Sequence, residues 1–222
     1  MLSCAHVGKT YMTERGAIDA VGEIDLAVVR GEFATIVGRS GSGKSSLLAM
    51  IGGLSRPTRG AIRVADTDIW ALPDDRLARF RNREIGFVFQ FASLLPTLRI
   101  VDNVALPALL GRTCEAKAAY RAAADLLGQL GLADYIDAYP AEISAGEQRR
   151  AVIARALINA PSLLLADEPT SDLDEQTEIE IMALLRELNR ERGMTFVMVT
   201  HNLRLADEAD RVFHIANGSL VS

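Results

Sequence analysis

The sequence predicts an α/β fold, in which a mostly parallel sheet is covered by helices on both faces. Short apolar strand patterns alternate with helical patterns along the chain, as they do in sheets that are buried on both faces. Between residues 91 and 160, however, the pattern is helical throughout. We therefore expect one domain over residues 1–222, with a core of residues 1–90 and 161–222 and an inserted helical subdomain of residues 91–160.

The first third of the chain reads as strands and turns, followed by a strand, a loop and a helix. Its strand patterns are EIDLAVV at residues 23–29, FATIVG at 33–38, AIRVAD at 61–66 and IGFVF at 85–89. The helix is LLAMIGGL at residues 47–54, just after a glycine-rich loop. A buried strand that leads through such a loop into a helix is the order that a phosphate-binding loop needs.

Helical spacing and then strands follow. Thr113 is placed to cap a helix whose apolar residues are Ala116, Ala119, Tyr120, Ala123, Leu127 and Leu130. The later strands are SLLLAD at 162–167, TFVMVT at 195–200 and RVFHIANG at 211–218. A helix from about Asp174 to Arg192 joins the first two, and Gly193 is placed to end it.

Composition and charge argue against several classes of protein. Apolar residues make up 49% of the 222 residues and charged residues 24%, so the chain is too apolar to be disordered. The net charge of −5 argues against a broad nucleic-acid-binding surface. Cys4 and Cys114 lie far apart, which suits a reduced, cytoplasmic chain. No apolar run approaches the roughly 20 residues of a membrane span, so we expect another chain to cross any membrane.

The stretch GRSGSGKS fits the phosphate-loop pattern G-x-x-x-x-G-K-[ST] at every required position. Its glycines let backbone N–H groups approach phosphate oxygens, Lys44 would reach the β- and γ-phosphates, and Ser45 would bind Mg²⁺. The nucleotide-binding residues predicted here are Gly38, Arg39, Ser40, Gly41, Ser42, Gly43, Lys44, Ser45 and Ser46. A glycine-rich turn without a ligand would not explain the strand before this loop and the helix after it.

Two carboxylates follow the apolar run LLLA at residues 163–166. Open α/β sheets bind their ligands at the carboxyl ends of the strands, which is where Asp167 and Glu168 are expected to lie. Asp167 would hold Mg²⁺, and Glu168 would polarise the attacking water. One carboxylate for the metal and one for a water is an arrangement typical of a hydrolase.

These motifs occur in the order found in ABC-type ATPases, the nucleotide-binding subunits of ABC transporters, and the chain resembles that family over essentially its whole length. GRSGSGKS is similar to Walker A and LLLADEPT to Walker B. FVFQF is similar to the Q-loop, ISAGEQRR to the family signature, SDLD to the D-loop and VTHN to the switch-histidine motif. The resemblance implies a P-loop NTPase with a RecA-like, mostly parallel core, an antiparallel N-terminal β portion and an inserted α-helical subdomain.

The resemblance also implies roles for further residues. Gln90 would contact Mg²⁺ and the attacking water, and Tyr11 would stack on adenine. His201 would hold the γ-phosphate and orient the water of Glu168. Two chains would close head to tail around two ATP molecules, with each signature completing the partner's site. The implied signature contacts are Ser144, Ala145, Gly146 and Glu147. A simple capped helix start at Ser144 is the alternative interpretation of this stretch.

The chain departs from the family pattern at three positions. Ala145 replaces the first glycine of the signature, and an alanine is tolerated there only if the φ of residue 145 is negative. Glu147 stands where glutamine is usual, and Asp172 stands for a small residue of the D-loop. Because an added carboxylate there would oppose the triphosphate, we expect Asp172 of one chain to pair with Arg39 of the other.

Apolar side chains cluster around Gln90, in the stretch Phe89–Leu95. In the family, a groove at this place receives a helix of the membrane permease, and the wording GFVFQ…LLPTL…NVALP resembles the branch of lipoprotein release and macrolide export. The resemblance thus implies a peripheral ATPase on the cytoplasmic face of the cell membrane, a homodimer when ATP is bound. The alternatives are a soluble ABC ATPase of DNA repair, which would need inserted coiled coils or zinc modules, or one of translation, which would need a second cassette.

Overall fold

A computed structural model of the chain describes residues 1–14, 16–206 and 208–221. The strands are β1 (Leu2–Thr13), β2 (Gly16–Val28), β3 (Phe33–Val37), β4 (Arg59–Val64), β5 (Thr67–Asp68), β6 (Ile85–Val88), β7 (Leu163–Asp167), β8 (Thr195–Thr200), β9 (Arg211–Ala216) and β10 (Ser219–Val221). The α-helices are α1 (Lys44–Ile51), α2 (Asp74–Glu84), α3 (Ile100–Gly111), α4 (Ala116–Gln129), α5 (Ala145–Leu157), α6 (Glu175–Arg192) and α7 (Leu203–Ala206). Short 3₁₀ turns lie at Ile69–Ala71, Ala133–Tyr135 and Pro140–Glu142.

The strands form two sheets. The larger sheet has the order β10-β9-β3-β8-β7-β6, and its neighbouring strands from β9 to β6 are parallel, while β10 lies antiparallel at one edge. The smaller sheet has the order β2-β1-β4-β5 and pairs antiparallel. The predicted α/β class, with a mostly parallel core sheet and an antiparallel N-terminal β portion, is confirmed.

The central strands of the larger sheet are buried on both faces. Alternate residues of β7 pack into different cores: Leu163 and Leu165 join a cluster with β1, β2 and α1, whereas Leu164 and Ala166 join a cluster with helices α3 to α6. Both faces are therefore buried in apolar cores, which explains why the sequences of β3, β7 and β8 are nearly continuous apolar runs.

The helices α3, α4 and α5 all fall within residues 91–160. The prediction that Thr113 caps the second of them is wrong, because α4 begins at Ala116 and has Glu115 at its N-cap position. The Thr113 hydroxyl lies instead 3.0 Å from Oδ1 of Asn159, so it joins the end of α3 to the chain beyond α5. The hydroxyl also lies 3.3 Å from the carbonyl oxygen of Ala108, so Thr113 serves the end of α3 and not the start of α4.

The sequence pattern did not predict β1 or α2, whereas it did predict α6. The pairing of β1 with β2 shifts register between Cys4 and Val7, so the alternation that marks a strand is broken in the sequence. Helix α2 buries only Leu77, which leaves it without an apolar stripe. Helix α6 covers the expected residues, and Gly193 ends it in the left-handed conformation with φ 58°.

Candidate nucleotide site

A cleft of about 1010 Å³ lies at the carboxyl ends of the parallel strands, where open α/β sheets place their ligands. The predicted site residues that line it are residues 38–46, Gln90, Glu168 and His201. Its other lining residues are Ala20, Val37, Leu203, His214, Ile215, Ala216, Asn217 and Val221. The predicted site residues outside this lining are Tyr11, Asp167 and residues 144–147. The fold thus brings the phosphate loop, the Q-loop glutamine and the switch histidine together, and leaves the signature apart.

The phosphate loop is packed too closely to its neighbours to carry side chains at two of its glycines. A Cβ at Gly38 would lie 2.3 Å from the carbonyl oxygen of Ile215, and one at Gly43 would lie 2.3 Å from that of Ala20. Gly43 also has φ 102°, a left-handed conformation that turns the loop into helix α1. The loop is therefore fixed between β2 and β9, with backbone N–H groups of the helix start directed at the cleft.

The Lys44 side chain lies inside the loop. Lys44 is buried, and its Nζ donates to the carbonyl oxygens of Gly38 at 2.7 Å and Arg39 at 3.1 Å. These two bonds hold the ammonium group at the centre of the loop. A buried ammonium that is held by carbonyl oxygens is placed to meet the charge of an anion in the loop.

Ser45 and Asp167 meet next to the loop. The Ser45 hydroxyl donates to Oδ1 of Asp167 at 3.2 Å. Burial raises the pKa of Asp167, and the Ser45 hydrogen bond partly opposes that increase. A hydroxyl oxygen and a carboxylate oxygen at hydrogen-bond distance are the hard ligands that Mg²⁺ prefers, and a cation here would relieve the cost of burying the carboxylate. The pair therefore fits a magnesium ion.

Glu168 is held by two side chains at the end of strand β8, those of Thr200 and His201. Its carboxylate is 13% exposed, and Oε1 lies 2.9 Å from Nδ1 of His201. Its Oε2 accepts a hydrogen bond from the Thr200 hydroxyl at 3.1 Å. The backbone of Glu168 is left-handed, with φ 46°, and its N–H donates to the carbonyl oxygen of Val199. This turn aims the carboxylate into the cleft beside the phosphate loop. Thr200 was missed by the sequence reasoning, although its place directly before His201 was a usable signal.

Tyr11 lies beside the loop, close to Ser46. Hydrogen bonding to Ser46, and then to Ser55, lowers the pKa of the Tyr11 phenol. Nζ of Lys9 lies 4.9 Å from the centre of the Tyr11 ring, a cation–π distance. The ring is 38% exposed, so it presents an aromatic surface next to the entrance of the phosphate loop.

The signature begins helix α5 with a capping box. The Ser144 side chain accepts from the Glu147 N–H at 3.3 Å, and the Glu147 carboxylate accepts from the Ser144 N–H at 2.7 Å. The Ser144 hydroxyl donates to the same carboxylate, also at 2.7 Å, and these bonds lower the pKa of Glu147. The first helical residue is Ala145, whose φ is therefore negative, as its methyl group requires. A capped helix start is thus present at Ser144.

Gly146 is bare for a reason that lies within the chain. A Cβ at this position would lie 2.8 Å from Cγ2 of Thr177, which belongs to the first turn of α6. The starts of α5 and α6 therefore meet at this glycine. Close packing within one chain accounts for Gly146, whether or not an anion also approaches.

A buried arginine on α5, also missed by the sequence reasoning, contacts the Q-loop. Arg149 donates from one guanidinium nitrogen to the carbonyl oxygen of Phe89 and from the other to that of Gln90, both at 2.6 Å. Nothing in the charged stretch GEQRR at residues 146–150 indicates that this side chain is buried. Only the packing of the helical insert against β6 buries it.

The apolar stretch after β6 is divided between core and surface. Leu94 packs partly against the helical core, whereas Phe91 is 69% exposed and Leu95 44%. The ring of Phe89 stacks on that of Phe87 with centres 5.1 Å apart, and both rings line a groove of about 460 Å³. Of the exposed apolar side chains, Phe89 lines this groove between the core and the helical insert, whereas Phe91 and Leu95 lie outside its lining.

With this geometry in hand, the class of protein is defined by both fold and motifs. Residues 21–171 match the family model described as "ABC transporter", and the chain belongs to that family. Among the residues that the structure describes, no helix has the length and apolar character needed to span a membrane.

Two proteins of the lipoprotein-releasing system are similar to this chain over nearly its whole length. The chain is 46% identical to the lipoprotein-releasing system ATP-binding protein LolD of Anaeromyxobacter dehalogenans, over 97% of this chain and 90% of that protein. It is 43% identical to the LolD protein of Syntrophotalea carbinolica, over 99% of this chain and 96% of that protein.

A solved structure has the same fold. The ATP-binding cassette MJ0796, a dimer bound to ADP and Pi in a post-hydrolysis state, superposes with a TM-score of 0.92 at 37% identity, over 100% of this chain and 97% of that chain. This chain is accordingly an ATP-binding, ATP-hydrolysing subunit of the ABC transporter type, as the motifs predicted. The alternatives in DNA repair and translation are set aside.

Proposed function

We propose that this chain is the ATPase subunit of a lipoprotein-releasing transporter and that it drives a separate membrane permease. The observation that carries the proposal is the Glu168 carboxylate, which Thr200 and His201 hold at the edge of the phosphate-loop cleft. The LolD relatives, which match this chain over nearly its whole length, support the lipoprotein-releasing part.

ATP would be held by the phosphate loop and the residues beside it. Backbone N–H groups of residues 38–46 and the ammonium of Lys44 would bind the phosphates, and Tyr11 would stack on adenine. Ser45, Asp167 and Gln90 would hold Mg²⁺, which when bound would neutralise phosphate charge.

Hydrolysis would depend on Glu168 as the general base. Its carboxylate would accept a proton from the attacking water, while His201 would bind the γ-phosphate and orient Glu168. Because Oε2 of Glu168 accepts the hydrogen bond from Thr200, Oε1 is the oxygen that faces His201. Gln90, which is exposed and lines the same cleft, would contact the same water.

Two copies of the chain would form the complete site. Residues 144–147 lie outside the lining of the chain's own cleft, and they would contact the nucleotide bound by a second copy. The N-terminus of α5 would add its partial positive charge at the partner's γ-phosphate. The dimeric cassettes with the same fold support this arrangement.

A mixture of two inactive variants tests whether the signature acts in trans. Lys44→Ala disables the phosphate loop and Ser144→Ala disables the signature. A mixed dimer then contains one composite site in which both halves are intact. We expect the mixture to hydrolyse ATP faster than either variant alone. If mixing restores no activity while mixed dimers form, the signature does not complete the partner's site.

The groove beside Phe89 would receive the permease, which would place the chain on the cytoplasmic face of the cell membrane. Phe89 lines the groove, and the exposed side chains of Phe91 and Leu95, which follow it in the chain, would be covered by the same partner. Phe91→Asp should abolish co-purification with the permease and leave ATP hydrolysis by the isolated subunit intact. The matched control is Val29→Asp, an equally exposed apolar residue in the turn before β3. If Phe91→Asp still co-purifies with the permease, or loses it no more than the control does, the groove assignment is wrong.

A further inference from the structure

Arg149 is a buried cation that is matched to main-chain oxygens instead of a carboxylate. The residue is 2% exposed, and its two terminal nitrogens each lie 2.6 Å from a carbonyl oxygen, of Phe89 and of Gln90. Its Nε is buried and has no hydrogen-bond partner among the residues that the structure describes. Burying a guanidinium with an unsatisfied N–H is costly, so the fold gives up stability to keep it here.

The geometry of the contact is specific to a guanidinium. Consecutive carbonyl groups at residues 89 and 90 are held by the two prongs of one planar fork, which fixes the direction of the main chain as well as its distance from α5. Burial lowers the pKa of the Arg149 guanidinium, and the charge of Asp172 in the D-loop partly opposes that decrease. The contact thus joins the Q-loop to the signature helix.

We propose that Arg149 is a positioning residue for Gln90, and that it makes the Q-loop move with the signature helix. This inference rests on the proposed role of Gln90 in hydrolysis. Arg149 follows the signature residues 144–147 on the same helix, so a displacement of α5 is transmitted to the main chain of Gln90. Arg155, further along α5, donates to the carbonyl oxygen of Ser93 at 2.8 Å and extends the attachment beyond the Q-loop.

Arg149→Lys is the variant that separates charge from geometry. Lysine keeps the positive charge but lacks the planar fork, so it cannot fix both carbonyl groups in the same way. The matched control is Arg150→Lys, on the same helix, where the side chain pairs with the partly exposed Glu180. We expect Arg149→Lys to lower kcat about 10- to 100-fold, because a small misplacement of a catalytic group costs that much, with little change in the KM for ATP. The control should stay close to the unsubstituted chain.

A double-mutant cycle with Gln90→Ala shows whether Arg149 acts through Gln90. If it does, Arg149→Lys lowers kcat in the unsubstituted chain and has little further effect once the Gln90 side chain is absent. A loss of activity that came only from a less stable fold would be equally large in both backgrounds, and that result would overturn the inference. Gln90→Ala by itself tests the proposed function: an unchanged kcat refutes the role of Gln90, whatever Arg149→Lys does.

Hydrogen exchange of the nucleotide-free protein gives a readout that needs no activity. The amides of residues 89–95 should exchange faster in Arg149→Lys than in Arg150→Lys, because the segment has lost its attachment to α5. If Arg149→Lys does not fold, Arg149→Gln, which retains one donor group for these carbonyls, takes its place in both measurements. Unchanged exchange in this segment, in a folded variant, would overturn the inference.

Discussion

Glu168→Gln is the most direct test of the hydrolytic site, because the structure allows the exchange with little rearrangement. Glutamine has the same shape, and its carbonyl oxygen can still accept the hydrogen bond from Thr200, now 3.1 Å long. Its amide group would face Nδ1 of His201, at the present distance of 2.9 Å. At most one hydrogen bond to a charged group is weakened, so we expect the free energy of unfolding to change by no more than about 3 kcal/mol.

The effect on the rate should be much larger. Glutamine cannot accept a proton from water, and positioned proton transfer contributes about 10²- to 10⁴-fold to catalysis. At about 1.36 kcal/mol for each factor of ten, the barrier to hydrolysis should rise by about 2.7–5.4 kcal/mol. ATP binding uses the phosphate loop and should persist, so the variant should accumulate as an ATP-bound dimer.

Steady-state ATPase activity and gel filtration with ATP and Mg²⁺ measure the two effects. Glu180→Gln is the matched control, since it removes a carboxylate from an exposed position on α6 that pairs with Arg150. The control should keep its activity and should not trap the dimer. Near-normal hydrolysis by purified Glu168→Gln would refute the assignment of Glu168 as the general base.

Three further predictions concern the charges around the nucleotide. Lys44→Ala should abolish ATP binding, because the phosphates lose their buried cation; an unchanged affinity by calorimetry would contradict the phosphate-loop assignment. Glu147→Gln should strengthen the ATP-driven dimer, because it removes a negative charge next to the partner's phosphate, and should cost the helix start about 0.3–1 kcal/mol of stability; gel filtration and thermal unfolding measure these effects, and a weaker dimer would contradict the first. Asp172→Ala and Arg39→Ala should show a coupling of about 0.2–1 kcal/mol per pair in a double-mutant cycle on dimerisation; a stronger dimer for Asp172→Ala without coupling would mean that repulsion from phosphate dominates.

The sequence by itself determined the class of fold and the chemistry of the phosphate loop. Short apolar runs that lack alternation and are bounded by turn residues are typical of strands buried on both faces, and the spacing of Gly38, Gly43 and Lys44 is that of a phosphate loop. These features are local, because strand periodicity and loop conformation depend on neighbours in the chain. The order of the motifs then led to the ABC transporter family.

The tertiary structure decided how the catalytic and signature side chains are held. Thr200 bonds to Glu168 across 32 positions, and Arg149 reaches the Q-loop across 59, which no periodicity encodes. The sequence left two roles open for the Ser144 hydroxyl, a helix cap and a phosphate contact. In the structure this hydroxyl donates to the Glu147 carboxylate. Such contacts depend on which faces of two elements meet, and on the burial that results. A charged residue such as Arg149 therefore reads as solvated in the sequence, and becomes a buried fork only when α5 packs against β6.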